Sequence, residues 1–317
     1  MLEALMLWNE PNNLSHWNFH LDAGWRRYAA MVRQAAAAVR RQAPELTIVA
    51  GGISPIDAEF VRLLDAEGVL AAVDVIGIHG FPLDWNHWRI HDWPRKVDEV
   101  AAETEKAIWA TEVGASSFGA DEIQIFGLET TARLLLHRKG QPERVYWYSL
   151  LDLPPAWVAT TRHKESEGSA YYRHYYMGLL TAEGEAKPAV DHFPADMGIC
   201  QWFHFEDHRL EMAVQWLRRL GVRRLRTGMS WADWFRPGAV RWFDRQMAAL
   251  AEFEVTLTLC YTPAHLGLEA HYASPPRSSE EFAVFAAWVA ERYGPAQTRD
   301  QQKTGAAAGC PARSGVA

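Results

Sequence analysis

Glu10 stands in Trp8-Asn9-Glu10-Pro11-Asn12 just past the apolar run Leu5-Met6-Leu7. Glu112 stands in Thr111-Glu112-Val113-Gly114 just past Ala107-Ile108-Trp109. A polar residue closing a short apolar run is expected at the end of a buried strand. Two carboxyl groups brought together there would do acid–base and nucleophilic work. One gives a proton to a departing oxygen while the other, ionised, attacks the carbon being released. Each glutamate also has a plain structural reading. Asn-Glu-Pro-Asn-Asn is good turn chemistry, and Glu112 could be a strand-end carboxylate paired with an arginine. Glu103 and Glu105 are rivals by residue type, but both fall on a predicted helix and read as solvated charge.

The elements that must position these residues alternate in type along the chain. Strand-like runs at 3–8, 46–50, 73–79, 107–112 and 145–149 are separated by helical patterns at 22–42, 55–67, 94–106 and 121–138, with a fifth helix around 168–180. After Lys187-Pro188-Ala189 the pattern resumes. Strands at 197–205, 222–227 and 255–261 alternate with helices at 207–219, 238–252 and 279–293. Five units and three make eight. Such alternation predicts a parallel sheet covered by helices, and eight units predict a closed α/β (β/α)8 barrel. Residues 1–190 would supply five barrel units and 191–294 three, while the small, aperiodic stretch 295–317 reads as a disordered tail.

Together, the Asn9-Glu10-Pro11 and Thr111-Glu112-Val113-Gly114 motifs resemble the acid/base and nucleophile signatures of clan A glycoside hydrolases, closest to the family 39 β-xylosidase-like group. The resemblance runs over roughly 3–294. In that clan the acid/base follows strand 4 and the nucleophile strand 7, and the 112 − 10 = 102 residues between the glutamates accommodate three βα units. The resemblance therefore implies a TIM barrel whose strands appear in the order 4-5-6-7-8-1-2-3, a circular permutation or a fusion of two barrel pieces. It implies retaining hydrolysis of β-linked sugars, with Glu10 as acid/base and Glu112 as nucleophile. Asn9 would touch the sugar 2-hydroxyl and Trp147 would floor the sugar site. Arg226 would hold Glu112 ionised, and His79 and His265 would contact substrate. Glu10 is expected to have a raised pKa beside a second negative charge. His79-Gly80-Phe81 departs from the clan's His-x-Tyr, since Phe81 cannot donate the tyrosine's hydrogen bond.

Composition narrows the alternatives. A net charge of −7 argues against nucleic acid or an anionic membrane as partner, and no stretch has the roughly 20 apolar residues of a span. Three scattered cysteines give no disulfide framework, and no basic segment followed by a long apolar one opens the chain, so the expectation is cytoplasmic. Fifteen tryptophans lean towards carbohydrate, because indole stacks on sugar faces. His87 and His91 are spaced i, i+4 but lack a third ligand, and Gly51-Gly52 lacks a dinucleotide fingerprint, so no metal and no cofactor are expected. The rival readings are a non-catalytic carbohydrate-binding barrel and a truncated relic. Oligomeric state leaves no mark in the sequence.

Overall fold

In the computed structural model, which describes residues 1–136, 138–155 and 173–295, eight parallel strands close into one barrel. They are β1 (Leu2–Leu7), β2 (Thr47–Ile53), β3 (Val75–Gly80), β4 (Ala107–Val113), β5 (Arg144–Tyr148), β6 (Gly198–Cys200), β7 (Arg224–Ser230) and β8 (Glu254–Cys260). Closure joins the first strand to the last: Leu5 is in register with Ile48 of β2 on one side and Leu257 of β8 on the other. The sheet also runs unbroken across residue 190, with Tyr146 of β5 opposite Gly198 of β6. The (β/α)8 expectation therefore holds.

Strand alternation sorts the side chains into two layers. Ala4, Met6, Val49, Val75, Trp109, Tyr146 and Cys200 fill the barrel interior. Their neighbours Leu5, Ile48, Ile76, Ile108, Val145 and Trp147 face outward into the layer between sheet and helices. Each large side chain buried there is worth roughly 1.5–3 kcal/mol. At the closing seam α1 (Arg26–Gln42) lies against the chain's last helix, Ser279–Tyr293. Small buried residues allow the close approach, Ala29, Ala35 and Ala36 on one helix and Ala283, Ala286 and Ala290 on the other.

The remaining α-helices among the described residues are α2 (Ala58–Ala66), α3 (Trp93–Ala101), α4 (Asp121–Leu135), α5 (Leu210–Arg219) and α6 (Ala239–Ala249), which makes Ser279–Tyr293 α7. Local chemistry sets their starts. Asp57 accepts from the Glu59 and Phe60 amides at the head of α2, and Ser278 from Glu280 at the head of α7. Several bounds differ from expectation. α3 stops at Ala101 rather than 106, and β2 runs on through both glycines to Ile53. Residues 168–172 of the helix expected around 168–180 lie outside the described residues, and past His174 the described part is not helical. At its end Leu180 is extended instead, bridging Leu151 and Ala186. β6 is three residues long because the chain leaves the sheet at Gln201–Trp202, where the Trp202 ring lies across Gly228 of β7. The expected tail lies, beyond residue 295, outside the described residues. No described helix is long and apolar enough to cross a membrane.

Candidate active site

Glu10 and Glu112 meet at the C-terminal end of the barrel, the face where βα loops assemble sites in this architecture. β1 ends at Leu7, and the next three residues form a tight turn in which Trp8 (φ 74°) and Glu10 (φ 43°) take left-handed backbone conformations. Such conformations cost non-glycine residues of order 1–3 kcal/mol each. Packing holds them: the Trp8 indole is fully buried, donates to the His16 carbonyl at 3.0 Å and sits edge-on to Trp17 and Phe282.

The Glu10 carboxylate is 6% exposed and both oxygens are engaged. Oε1 lies 2.7 Å from Nδ1 of His79, at the end of β3. Oε2 accepts from the Asn13 side-chain amide at 2.8 Å and lies 3.2 Å from Nδ1 of His16. Burial pushes this carboxyl's pKa up, but His16 and then His79 outweigh it and hold the group well below the usual carboxylate range. The expectation of a raised Glu10 is therefore overturned, because the turn after β1 supplies two imidazoles where only a second negative charge was foreseen.

Glu112, near the end of β4, is also held through both oxygens. Oε2 is 3.4 Å from the same His79 Nδ1, while Oε1 accepts a hydrogen bond from the Arg226 guanidinium and lies 3.9 Å from the Cys200 thiol. One donor atom each from Glu10, His79 and Glu112 lies within 4.8 Å of the others. Arg226 projects from β7 into the barrel and is 2% exposed. It donates to Glu112, to Asn9 Oδ1 at 2.6 Å and to the Cys200 and Met6 sulfurs. Asn9 is thereby tied to Glu112 through one guanidinium.

Of the five expected substrate contacts, Trp147 alone lies on a face other than the one expected. His79 is fully buried and bridges the glutamates, with its ring against Gly52, where a Cβ would come within 2.2 Å of Nε2. Asn9 has its oxygen committed to Arg226, leaving its amide hydrogens. Trp147 is corrected outright: it faces the strand–helix layer. Strand alternation puts Tyr146 and Tyr148 inside, and Tyr148 is the aromatic beside the glutamates. Burial and the charges of Glu112, Cys200 and Glu10 push the Tyr148 hydroxyl's pKa up. His265 is exposed on the loop after β8, edge-on to Phe235.

Sequence reasoning missed Asn13, His16, Tyr148, Cys200 and His174. His16 and Asn13 had a readable signal, being six and three residues past Glu10 on the same turn. Cys200 and Tyr148 had only strand parity. His174 packs against Trp85 with ring centroids 4.4 Å apart and the planes tilted by 49°; burial pushes its pKa down to about 4, with Glu10 pulling the other way. Phe81 is buried against Trp85 and edge-on to Tyr148.

No family model and no curated protein matches this chain. Among solved structures it is similar to a GH128 (subgroup II) endo-β-1,3-glucanase from Sorangium cellulosum, with a TM-score of 0.42 and 18% identity over 60% of this chain and 68% of that one. It is also similar to a Bacteroides uniformis β-glucuronidase, with a TM-score of 0.40 and 10% identity over 65% of this chain and 23% of that one. Likeness this distant adds nothing to the geometry above; the barrel rests on its own strand pairing.

Proposed function

We propose that the chain is a retaining hydrolase of β-linked O-glycosides, working by double displacement between Glu112 and Glu10. The observation that carries this reading is the closeness of the two carboxylates at the barrel's C-terminal end, with oxygens within 4.8 Å. Retaining enzymes hold their carboxyl groups about 5–5.5 Å apart, whereas inverting ones leave about 6.5–9.5 Å for a water. Glu112, held by Arg226, attacks the anomeric carbon. Glu10 protonates the leaving oxygen and then takes a proton from the water that cleaves the glycosyl ester. Because His16 and His79 favour the ionised form of Glu10, this carboxylate must gain a proton before the first step and is ready as the base of the second. The free Asn9 amide is placed to donate to the sugar 2-hydroxyl, and Tyr148 takes the aromatic position expected of Trp147. The clan A assignment and the permuted strand order belong to the same reading.

The second reading is a carbohydrate-binding barrel without turnover. It is favoured by Phe81 and by the ionised resting state of Glu10. Hydrolysis of aryl β-xyloside, glucoside, galactoside and arabinoside by the wild type beside Glu112→Ala decides between them. Turnover lost in the variant supports the glycosidase, whereas binding without turnover by a folded wild type supports the second reading.

A further inference from the structure

We propose that Glu10, His79 and Glu112 also form a binding site for a divalent transition-metal cation of the zinc class, and that the bound ion blocks hydrolysis. Only the inhibitory half rests on the glycosidase reading.

Each glutamate has one oxygen taken by a polar partner outside the triangle. Glu10 Oε2 is held by Asn13 and His16, and Glu112 Oε1 by Arg226 with Cys200 nearby. The other oxygens, Glu10 Oε1 and Glu112 Oε2, converge on His79 Nδ1 at 2.7 and 3.4 Å. Partners that grip the non-coordinating oxygen orient a carboxylate ligand and raise metal affinity. Tetrahedral zinc with bonds of about 2.0–2.2 Å wants its ligand atoms about 3.4 Å apart. Of the two edges from His79, the one to Glu112 has that length already and the one to Glu10 must open. Two carboxylates and one imidazole are a donor set that suits zinc-class ions. They leave a coordination position towards the barrel mouth, where Glu112 keeps 12% side-chain exposure. A bound ion would occupy both the attacking oxygen and the proton-carrying one. The i, i+4 pair His87 and His91 is exposed on the loop after β3 and takes no part.

Isothermal titration of the metal-free chain with zinc chloride, beside Glu112→Gln, tests the site. Glu10→Gln serves instead where the first variant lacks a native-like melt. We expect one ion per chain, bound at least about tenfold more weakly by the variant. No binding by the folded wild type, or equal binding by the variant, overturns the site. Where an aryl glycoside is turned over, zinc must inhibit it competitively and a chelator must restore the rate; an unaffected rate overturns the inhibitory half. A chain that binds zinc at the triangle but cleaves no glycoside refutes the glycosidase reading and leaves the site standing.

Discussion

Arg226→Met removes the group that links three parts of the site. Arg226 is buried, and its guanidinium reaches Glu112, Asn9 and two sulfurs at once. Methionine fills much of the volume and restores none of the donors, so Glu112 loses its cation and Asn9 Oδ1 its donor. Breaking a buried ion pair by deleting one partner costs about 3–5 kcal/mol. At about 2.1 cal/mol/K of unfolding entropy per residue, each kcal/mol moves the melting midpoint of a 317-residue chain by about 1.5 °C, so the variant should melt roughly 5–8 °C below the wild type. Glu112→Gln should lose stability for the mirror-image reason, a buried guanidinium left without its charge partner. The double variant removes both charges, and its loss should fall short of the sum by about 0.5–3 kcal/mol. Arg226→Lys keeps a charge but not the fork, and should recover stability better than it recovers the Asn9 contact. Chemical denaturation of all four proteins gives the cycle. Losses that add within about 0.5 kcal/mol would refute the pairing as an energetic unit, and an unshifted Arg226→Met midpoint would refute the buried bridge.

Three other perturbations separate the site from the scaffold. Tyr148→Phe should leave the melt within about 1 kcal/mol yet lower aryl-glycoside turnover, whereas Trp147→Ala should cost about 3–5 kcal/mol as a core cavity; activity lost only through unfolding in both would return Tyr148 to packing. Gly52→Ala puts a Cβ within 2.2 Å of His79 Nε2 at a backbone φ of +30°, so it should displace the imidazole and lower turnover more than Gly51→Ala; an unchanged rate would show that His79 does not depend on that seat. Burial pushes the Asp152 carboxyl up to about 6, partly offset by Lys187 at 2.7 Å. A carboxyl raised on folding favours the fold most below its unfolded pKa, and that contribution is lost as pH rises through about 6. The loss is of order 3 kcal/mol at about 1.4 kcal/mol per unit. Urea midpoints from pH 4 to 7 should therefore carry a downward component that Asp152→Asn removes, and an identical slope in the two proteins would refute it.

What was legible in the sequence was what period and strand ends encode. The hydrophobic alternation located all eight strands, and the helix at 279–293 came out with the expected bounds because Ser278 caps its start and Gly294 follows its end. Glu10 and Glu112 were legible as strand-end carboxylates because each closes an apolar run. Strand parity was misread at one point. Trp147 and Tyr148 are adjacent aromatics, and only the pairing of β5 with β6 sets which of them is inside. The imidazoles around Glu10 were less legible, His16 having only its nearness in sequence as a signal. His16 reaches it through a turn whose left-handed residues Trp8 and Glu10 no local propensity predicts. His79 reaches both glutamates only because β2 carries glycine at 52.

The site also ties early and late parts of the sequence together. Both glutamates lie in the first 112 residues, but the groups that hold Glu112 in place, Arg226 and Cys200, come from β7 and β6. The Arg226 guanidinium then reaches back to Asn9 after β1, beside the seam where β1 pairs with β8. A chain ending before β6 would keep both carboxylates and lose the cation that balances one of them. Closure of the barrel and assembly of the site are thus one event. A barrel has no first strand in space, so the order in which its units are written matters less than whether the ring closes. Here the same strand ends that complete the sheet bring Asn9, Glu112 and Arg226 within hydrogen-bonding reach.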